Sequence, residues 1–309
     1  MMAVVLNPFA GGGLATTRWE SIKDQMPSPY IVINLPKIQH LHDHLSEAYL
    51  SGIRTFIAAG GDGTVNLLSQ TLIERFNEHK LQEVSLGAIG IGSSNDYHKP
   101  MAQTSCIHGY PCRLNVNQIQ KRDLLKLTLS TNHREHQRVA LLNASCGITA
   151  KANELFNTHA PILRFLKKVS INLAILFTAI QSICTYRNQS MTIATDETTL
   201  HYPITNIGIT KSPFFTGEFA YEDQFIPDDG SYSVYICHNM NVWDVMKRLF
   251  RLKKHQFISD KKALCIKLNE ASTVKIFSNN LFPFEFDGET AWVNSVTITM
   301  MKQCIRCCT

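Results

Sequence analysis

Three short runs in the N-terminal third of the chain are apolar without alternation, and each ends in a glycine-bearing turn. They are "AVVLN" (3–7) before "PFAGGG", "TFIAAG" (55–60) before "GDG", and "LGAIGI" (86–91) before "GSSND". A strand with one wet face alternates polar and apolar residues. A run without alternation fits a strand buried on both faces of a parallel sheet. Between the runs, Leu41, Leu45, Ala48 and Tyr49 fall at helical spacing, as do Val65, Leu68, Leu72 and Phe76. Thr64 stands where it could cap the second of these helices. Strand alternating with helix predicts a doubly wound α/β domain.

From about Asp123 the texture changes. "LLKLTLS" (124–130), "RVALLNASCGI", "SYSVYIC", "TVKIFS" and "SVTITMM" have period-two character, and "TNHREHQ" reads as a hairpin. This half is expected to be a β-rich antiparallel domain, 123–291, following the α/β domain, 1–122. The segment 292–309 is a candidate to return to the first domain. One inserted helix is expected at 161–184 and another near 242–254. The longest apolar stretch, "VSINLAILFTAIQSIC" (169–184), is short of the roughly 20 residues a bilayer crossing takes. It is read as a buried helix, and no transmembrane segment is expected.

Composition narrows the classes. The chain has 309 residues, 44% hydrophobic and 18% charged, with a formal net charge of +5. That is ample core and too little charge for a disordered chain. The positive balance suits a nucleotide or an anionic lipid surface. No dense Lys/Arg arm is present, so no nucleic-acid partner is expected. The start "MMAVVLNPFAGGG" shows neither a charged leader nor a long apolar core, and the nine scattered cysteines read as reduced thiols. A cytoplasmic location is therefore expected. Cys304, Cys307 and Cys308 lack further ligands nearby, and His40, His42 and His44 read as a solvated helix face.

The turn "GGDGTVN" (60–66) is neither a Walker loop nor a dinucleotide fingerprint, because no Gly-Lys-Ser/Thr follows and Asn66 stands where a glycine or alanine is needed. Its context is nevertheless strand, glycine turn and helix start. Such a turn exposes backbone N–H groups, and the helix N-terminus adds partial positive charge. Asp62 should repel a phosphate there unless a divalent cation lies between them, and Mg²⁺ favours one or two carboxylates with phosphate oxygens. Asp62 is thus read as a ligand of Mg²⁺ or its water beside a nucleotide triphosphate. An ordinary turn with Gly63 at positive φ is the alternative.

The set "NPFAGGG", "GGDGTVN" and "GIGSSNDY" resembles the catalytic domain of the diacylglycerol kinase family. More narrowly it resembles the soluble bacterial lipid kinases, kin to sphingosine kinases and more distantly to NAD kinases. "LLNASCGITAKAN" (141–153), "IPDDGSYSV" (226–234) and "FEFDGE" (284–289) resemble later family segments, in the family's order. The resemblance implies an ATP- and Mg²⁺-dependent kinase for a lipid hydroxyl, diacylglycerol or a related lipid alcohol, with nucleotide in a cleft between an α/β and a β-rich domain. It implies nucleotide contacts from Asn7, Pro8, Phe9, Ala10 and Gly11, from Gly60, Gly61, Asp62, Gly63, Thr64, Val65 and Asn66, and from Ser93 and Asn95. Ser93 replaces a usual threonine and keeps the hydroxyl. Gly90 stands where proline is common, which would loosen that loop, and Asp223 also falls where proline is usual.

Phosphoryl transfer to an alcohol needs somewhere for the hydroxyl proton to go. The resemblance assigns that role to Glu289, beside Asp62 as the other catalytic residue; a hairpin with two solvated acids is the alternative. It also implies a structural Mg²⁺ held by the Asp229 carboxylate and the carbonyl oxygens of Ile226 and Ser231, against a plain turn. "NVWDVMKRLFRLKKHQ" (241–256) places Val242, Val245, Met246, Leu249 and Leu252 at helical spacing among basic residues. It is expected either to lie on an anionic membrane or to pack on the core, with transient peripheral membrane contact. A homodimer is compatible with the sequence. Two rival functions stay open: a kinase for a soluble hydroxyl compound, with a polar acceptor site near Phe214 and Phe215, and a catalytically silent nucleotide-binding regulator.

Overall fold

The structure is a computed structural model that describes the chain except residues 28, 36–39, 102–103, 132–133, 159, 223 and 225 and the side chains of residues 168, 171 and 172. Asp223 and part of the "TNHREHQ" hairpin lie outside the described residues. Packing divides the chain into two units, Met1–Arg122 with Gln303–Thr309, and Asp123–Lys302.

In the first unit, β1 (Met2–Leu6), α1 (Ala15–Ile22), β2 (Tyr30–Asn34), α2 (Leu41–Leu50), β3 (Thr55–Gly60), α3 (Asp62–Arg75) and β4 (Ser85–Gly90) alternate along the chain. β1 pairs in parallel with β2 and β3, and β3 with β4. Beyond β4 lie the antiparallel β5 (Ser105–Ile107) and β6 (Tyr110–Arg113), and Cys307 of the returning chain end pairs with Leu86. β1 and β4 are buried at every position, which is why their sequences do not alternate. Met2, Val4, Leu6 and Ile57 pack on Ala15, Trp19 and Ile22 of α1. Phe56 points to the other face, where its ring lies 6.2 Å from that of Phe76. Helices therefore cover both faces. β2 is an additional edge strand that the sequence reading did not anticipate: Ile31 and Val32 are exposed and no glycine turn follows.

The second unit contains most of β7 (Ile119–Thr131), then β8 (Arg134–Ala140), β9 (Asn143–Gly147), α4 (Ile148–Asn157), α5 (Pro161–Val169) and α6 (Ile171–Thr185). It continues through β10 (Gln189–Thr195), β11 (Thr199–Thr210), the short β12 (Phe214–Phe215) and β13 (Phe219–Ala220), β14 (Ser231–His238), α7 (Val242–Lys253), β15 (Ala263–Asn269), β16 (Val274–Phe286) and the start of β17 (Glu289–Cys308). Neighbours along the order β15-β14-β11-β10-β16-β17 are antiparallel, and β9 bridges β11 and β16. Alternation decides which face each residue takes. Tyr232, Val234 and Ile236 enter the main core, whereas Tyr235 and Cys237 join Val245, Leu252 and Phe257 under α7.

The inserted helical segment differs from expectation in two ways. It breaks at Ser170, whose extended backbone (φ −163°, ψ 126°) ends α5 and whose side chain caps α6. It is also not buried all round: Leu173, Leu176 and Ile180 of α6 are exposed while Ala174, Thr178 and Ser182 face inward. Among the described residues, no helix is long and apolar enough to cross a membrane.

Candidate nucleotide site and second carboxylate centre

In the first unit, the turns after β1, β3 and β4 meet at the carboxyl ends of adjacent parallel strands, where such sheets bind ligands. Asn7 joins the first two turns. Its Oδ1 accepts the Phe9 N–H at 3.1 Å and its Nδ2 donates to Thr64 Oγ1 at 3.0 Å. Thr64 is thus engaged as a cross-link and not as a helix cap, since Gly61 occupies the cap position of α3. A Cβ on Gly60 would fall 2.2 Å from Thr64 Oγ1, so that close approach requires glycine. Gly11 has φ +60°, and a side chain there would meet Arg18 and the Ile91 carbonyl. Arg18 of α1 donates to the carbonyls of Ile91 and Gly92 at 2.9 and 2.8 Å, tying the first turn to the third. Sequence reasoning missed Arg18; its spacing from the glycines is too general to single it out.

The third turn is cross-linked within itself. Asn95, in the left-handed region at φ 52°, accepts the Gly92 N–H at 3.1 Å and donates to the Gly90 carbonyl at 3.0 Å. Gly90 leaves no space for a ring, because even a Cβ would lie 2.8 Å from Pro111. Asn95 therefore ties the loop that Gly90, in place of the family's common proline, was expected to loosen. Of the expected nucleotide contacts, Phe9 and Ser93 are exposed, and Pro8, Ala10, Gly61, Asp62 and Gly63 are half-buried. Gly11, Gly60, Thr64, Val65 and Asn66 are buried. Val65 belongs to the core, so a ligand could meet only its backbone.

Asp62 Oδ1 accepts the Tyr97 N–H at 2.9 Å. Desolvation first, and then the Asp96 charge, push the Asp62 carboxyl up to about 6, against the N–H groups of Tyr97 and Asp96 and the charge of Lys99. Lys99 Nζ lies 2.7 Å from Asp96 Oδ1. Lys99 already neutralises Asp96, so Asp62 is the carboxylate left beside the glycine turns for Mg²⁺ with phosphate oxygens. Asp96 lies within "GSSND", where no local pattern marks it as a neighbour of Asp62.

In the second unit, the β16–β17 turn carries the other acids, and only one of them is solvated. Asp287 is buried at φ 46° and accepts N–H groups from Leu141 (2.5 Å), Leu142 (3.1 Å) and Asn143 (3.0 Å). Burial pushes its carboxyl up to about 7; the N–H groups pull down, and Glu285 adds to the rise. Glu285 accepts the Gly288 N–H and the Ser145 hydroxyl, both at 2.8 Å. Asn153 donates to the Gly288 carbonyl at 3.0 Å. Glu289 follows this anchored turn with an exposed side chain.

The expected structural Mg²⁺ ligands have another partner. Ile226, Asp229 and Ser231 line one pocket together with Lys211. Lys211 Nζ donates to Asp229 Oδ1 at 2.5 Å and to the Ser231 carbonyl at 3.0 Å. An ammonium on two of the three ligands does not fit a divalent cation at the same place. Among the described residues, no group of three or more His, Cys, Asp or Glu is arranged for a metal.

Glycine turns gathered at one edge of a parallel α/β sheet are here joined in sequence to an antiparallel β-rich unit. The family profile described as the diacylglycerol kinase catalytic domain matches residues 1–129, and that of the YegS C-terminal NAD kinase beta sandwich-like domain matches residues 143–309. The chain belongs to the diacylglycerol kinase family, in its YegS-like form. No curated protein matches it. It is similar to a solved structure described as a "putative diacylglycerol kinase" from Bacillus anthracis str. Sterne, with 15% identity, a TM-score of 0.68, and coverage of 99% of this chain and 96% of that one. Another, described as a diacylglycerol kinase from the same strain, has 14% identity and a TM-score of 0.63 at the same coverage. At such identity the likeness is one of fold.

Proposed function

We propose that the chain transfers the γ-phosphoryl group of ATP to a lipid hydroxyl, with diacylglycerol or a related lipid alcohol as acceptor. The observation that carries this reading is the meeting of three glycine turns beside Asp62 in a chain of the diacylglycerol kinase family. The turns after β1, β3 and β4 would seat the nucleotide through backbone N–H groups, and Asp62 would hold Mg²⁺. When bound, Mg²⁺ neutralises charge on the phosphates. Glu289 takes the hydroxyl proton as the acceptor oxygen bonds to the γ-phosphorus and the bond to the β–γ bridging oxygen breaks, releasing ADP.

An apolar acceptor is supported over a soluble one by the surroundings of Phe214 and Phe215. Phe215 stacks on Phe219 and Tyr221 with centroids 5.7 and 4.9 Å apart, and Phe214 meets His255 edge-on at 6.2 Å. Retention of Asp62 and Glu289 argues against a silent regulator. The lipid reading also needs access to a membrane surface. The outward face of α7 bears Trp243, Met246 and Phe250 with Lys247 and Lys254, a mixture suited to transient contact with anionic lipid.

The test is incubation of the purified chain with radiolabelled ATP, Mg²⁺ and a total lipid extract. Label in an organic-phase phospholipid is expected, and acid hydrolysis would identify its alcohol. Label confined to water-soluble products would favour the soluble-acceptor reading, and ATP binding without transfer to any acceptor would favour the silent regulator.

A further inference from the structure

We propose that Lys211 is a built-in cation: its ammonium takes the place of a structural Mg²⁺ in the oxygen cage of the Pro-Asp-Asp-Gly turn, so that this turn is held without metal. Lys211 follows β11, with its backbone N–H on the Leu142 carbonyl at 2.9 Å. Its side chain is 2% exposed. An ammonium has three donors and no acceptor. Three oxygens surround it: Asp123 Oδ2 at 2.9 Å, Asp229 Oδ1 at 2.5 Å and the Ser231 carbonyl at 3.0 Å. Each donor therefore has an acceptor, the condition under which a buried charge is tolerated.

The cage is closed on its outer side as well. Asp123 Oδ2 also accepts the Gly230 N–H at 2.8 Å. Asp229 accepts the Ser231 N–H at 2.9 Å on Oδ1 and the Ser231 hydroxyl at 2.6 Å on Oδ2. Asp123 donates its own N–H to the Pro227 carbonyl at 2.8 Å, so the turn is tied to β7 as well as to β11. Mg²⁺ needs near-octahedral oxygen ligands at about 2.0–2.1 Å and keeps several waters. The ammonium stands within hydrogen-bond distance of the same atoms, and its charge repels a second cation. Burial raises the Asp229 carboxyl, and the bonds from Lys211 and Ser231 more than reverse this, holding it below the ordinary range.

Asp229 and Ser231 give no hint of this in the sequence, because the substitute cation comes from a strand end about twenty positions earlier. The inference concerns this turn alone and stands whatever the acceptor of the proposed reaction.

The experiment uses the full chain without nucleotide, treated with chelator and then desalted. Metal content and thermal unfolding are measured with and without millimolar Mg²⁺. The wild-type chain is expected to retain no metal and to show the same Tm in both conditions. Lys211→Met is expected to lose roughly 10 °C in chelator, and to recover part of it in Mg²⁺ with one bound equivalent. If Lys211→Met does not fold, the yield of refolded Lys211→Asn with and without Mg²⁺ takes its place. A wild-type chain holding one Mg²⁺ that Asp229→Asn loses overturns the proposal. So does a Lys211 variant that Mg²⁺ does not rescue, since Lys211 would then be an ordinary ion pair.

Discussion

Gly61 and Gly92 touch through their backbones: a Cβ built on Gly92 would lie 2.3 Å from Gly61 Cα, whereas one built on Gly61 would lie 3.3 Å from Gly92 Cα. The turns after β3 and β4 are thus packed main chain to main chain, and the two glycines are not equivalent. Gly92→Ala must push two backbone segments apart, an overpacking of about 1–3 kcal/mol. Gly61→Ala needs only a few tenths of an ångström of adjustment, but adds a methyl to the proposed phosphate cradle. Gly92→Ala is expected to lower both Tm and ATP affinity. Gly61→Ala should keep Tm within a degree or two and lose ATP affinity about tenfold, near 1.4 kcal/mol. Thermal unfolding and calorimetric ATP titration separate the two, and unchanged ATP binding in both variants would remove the cradle from this edge.

The "DGE" turn separates holding from reacting. Asp287 accepts three backbone N–H groups that would otherwise be buried without partners, at about 1–3 kcal/mol each. Asp287→Ala is therefore expected to yield little folded chain. Glu289 is exposed, so Glu289→Gln should keep Tm and ATP affinity while turnover falls by about 10²-fold or more. A Glu289→Gln enzyme with wild-type turnover in the lipid-extract assay would disqualify Glu289 as the proton acceptor.

How much was legible follows from what each residue contacts. β1, β3 and β4 could be read because burial on both faces writes itself into an unbroken apolar run, and their glycine turns because close backbone approach excludes a side chain. β2 could not, since an edge strand needs no such run. The face of α7 was misassigned in part. Val245 and Leu252 do turn inward, but so does Arg248, which reaches Asp260 at 2.8 Å, while Met246 points out. Helical spacing marks an apolar face without saying how a buried guanidinium is paired. Arg18, Lys211 and Asp287 act through partners distant in sequence, and no local pattern encodes such pairs.

His98 gives a pH signature that tests the interior of the first unit. Its ring is 1% exposed and packs edge-on against Tyr97 at 5.4 Å. Burial first, and then the charges of Arg113 and Arg122, bring its pKa down to about 3. Unfolded, an imidazole takes up a proton below about pH 6.5. Between those two values the unfolded chain binds the extra proton, so stability present above pH 6.5 is lost as pH falls, at about 1.4 kcal/mol per pH unit. His98 alone removes about 2 kcal/mol between pH 6.5 and 5, opposed over the same window by Asp62 and Asp287, whose raised carboxyls take up protons in the folded chain. His98→Gln, neutral throughout, should flatten that limb by about one proton in urea unfolding curves. An equally steep loss in the variant would place the proton uptake elsewhere.

The outward face of α7 makes the membrane expectation specific. Trp243 is 76% and Phe250 65% exposed, and Met246 and Lys247 lie between them on the same stripe. The helix does not depend on these side chains. It is capped by reciprocal Asn241–Asp244 bonds and anchored inward by Val245, Arg248 and Leu252. Trp243→Ser with Phe250→Ser should therefore leave Tm almost unchanged. If the stripe meets lipid, each aromatic contributes about 2 kcal/mol through the apolar area it removes from water. The double variant should then lose most sedimentation with anionic vesicles. Lys247→Gln with Lys254→Gln should reduce binding less, and mainly at low salt, because exposed charges are screened over about 10 Å at 0.1 M. Turnover on a short-chain, monomeric lipid alcohol should survive both double variants, since neither touches Asp62 or Glu289. Vesicle binding that withstands loss of both aromatics would move the lipid-facing surface away from α7.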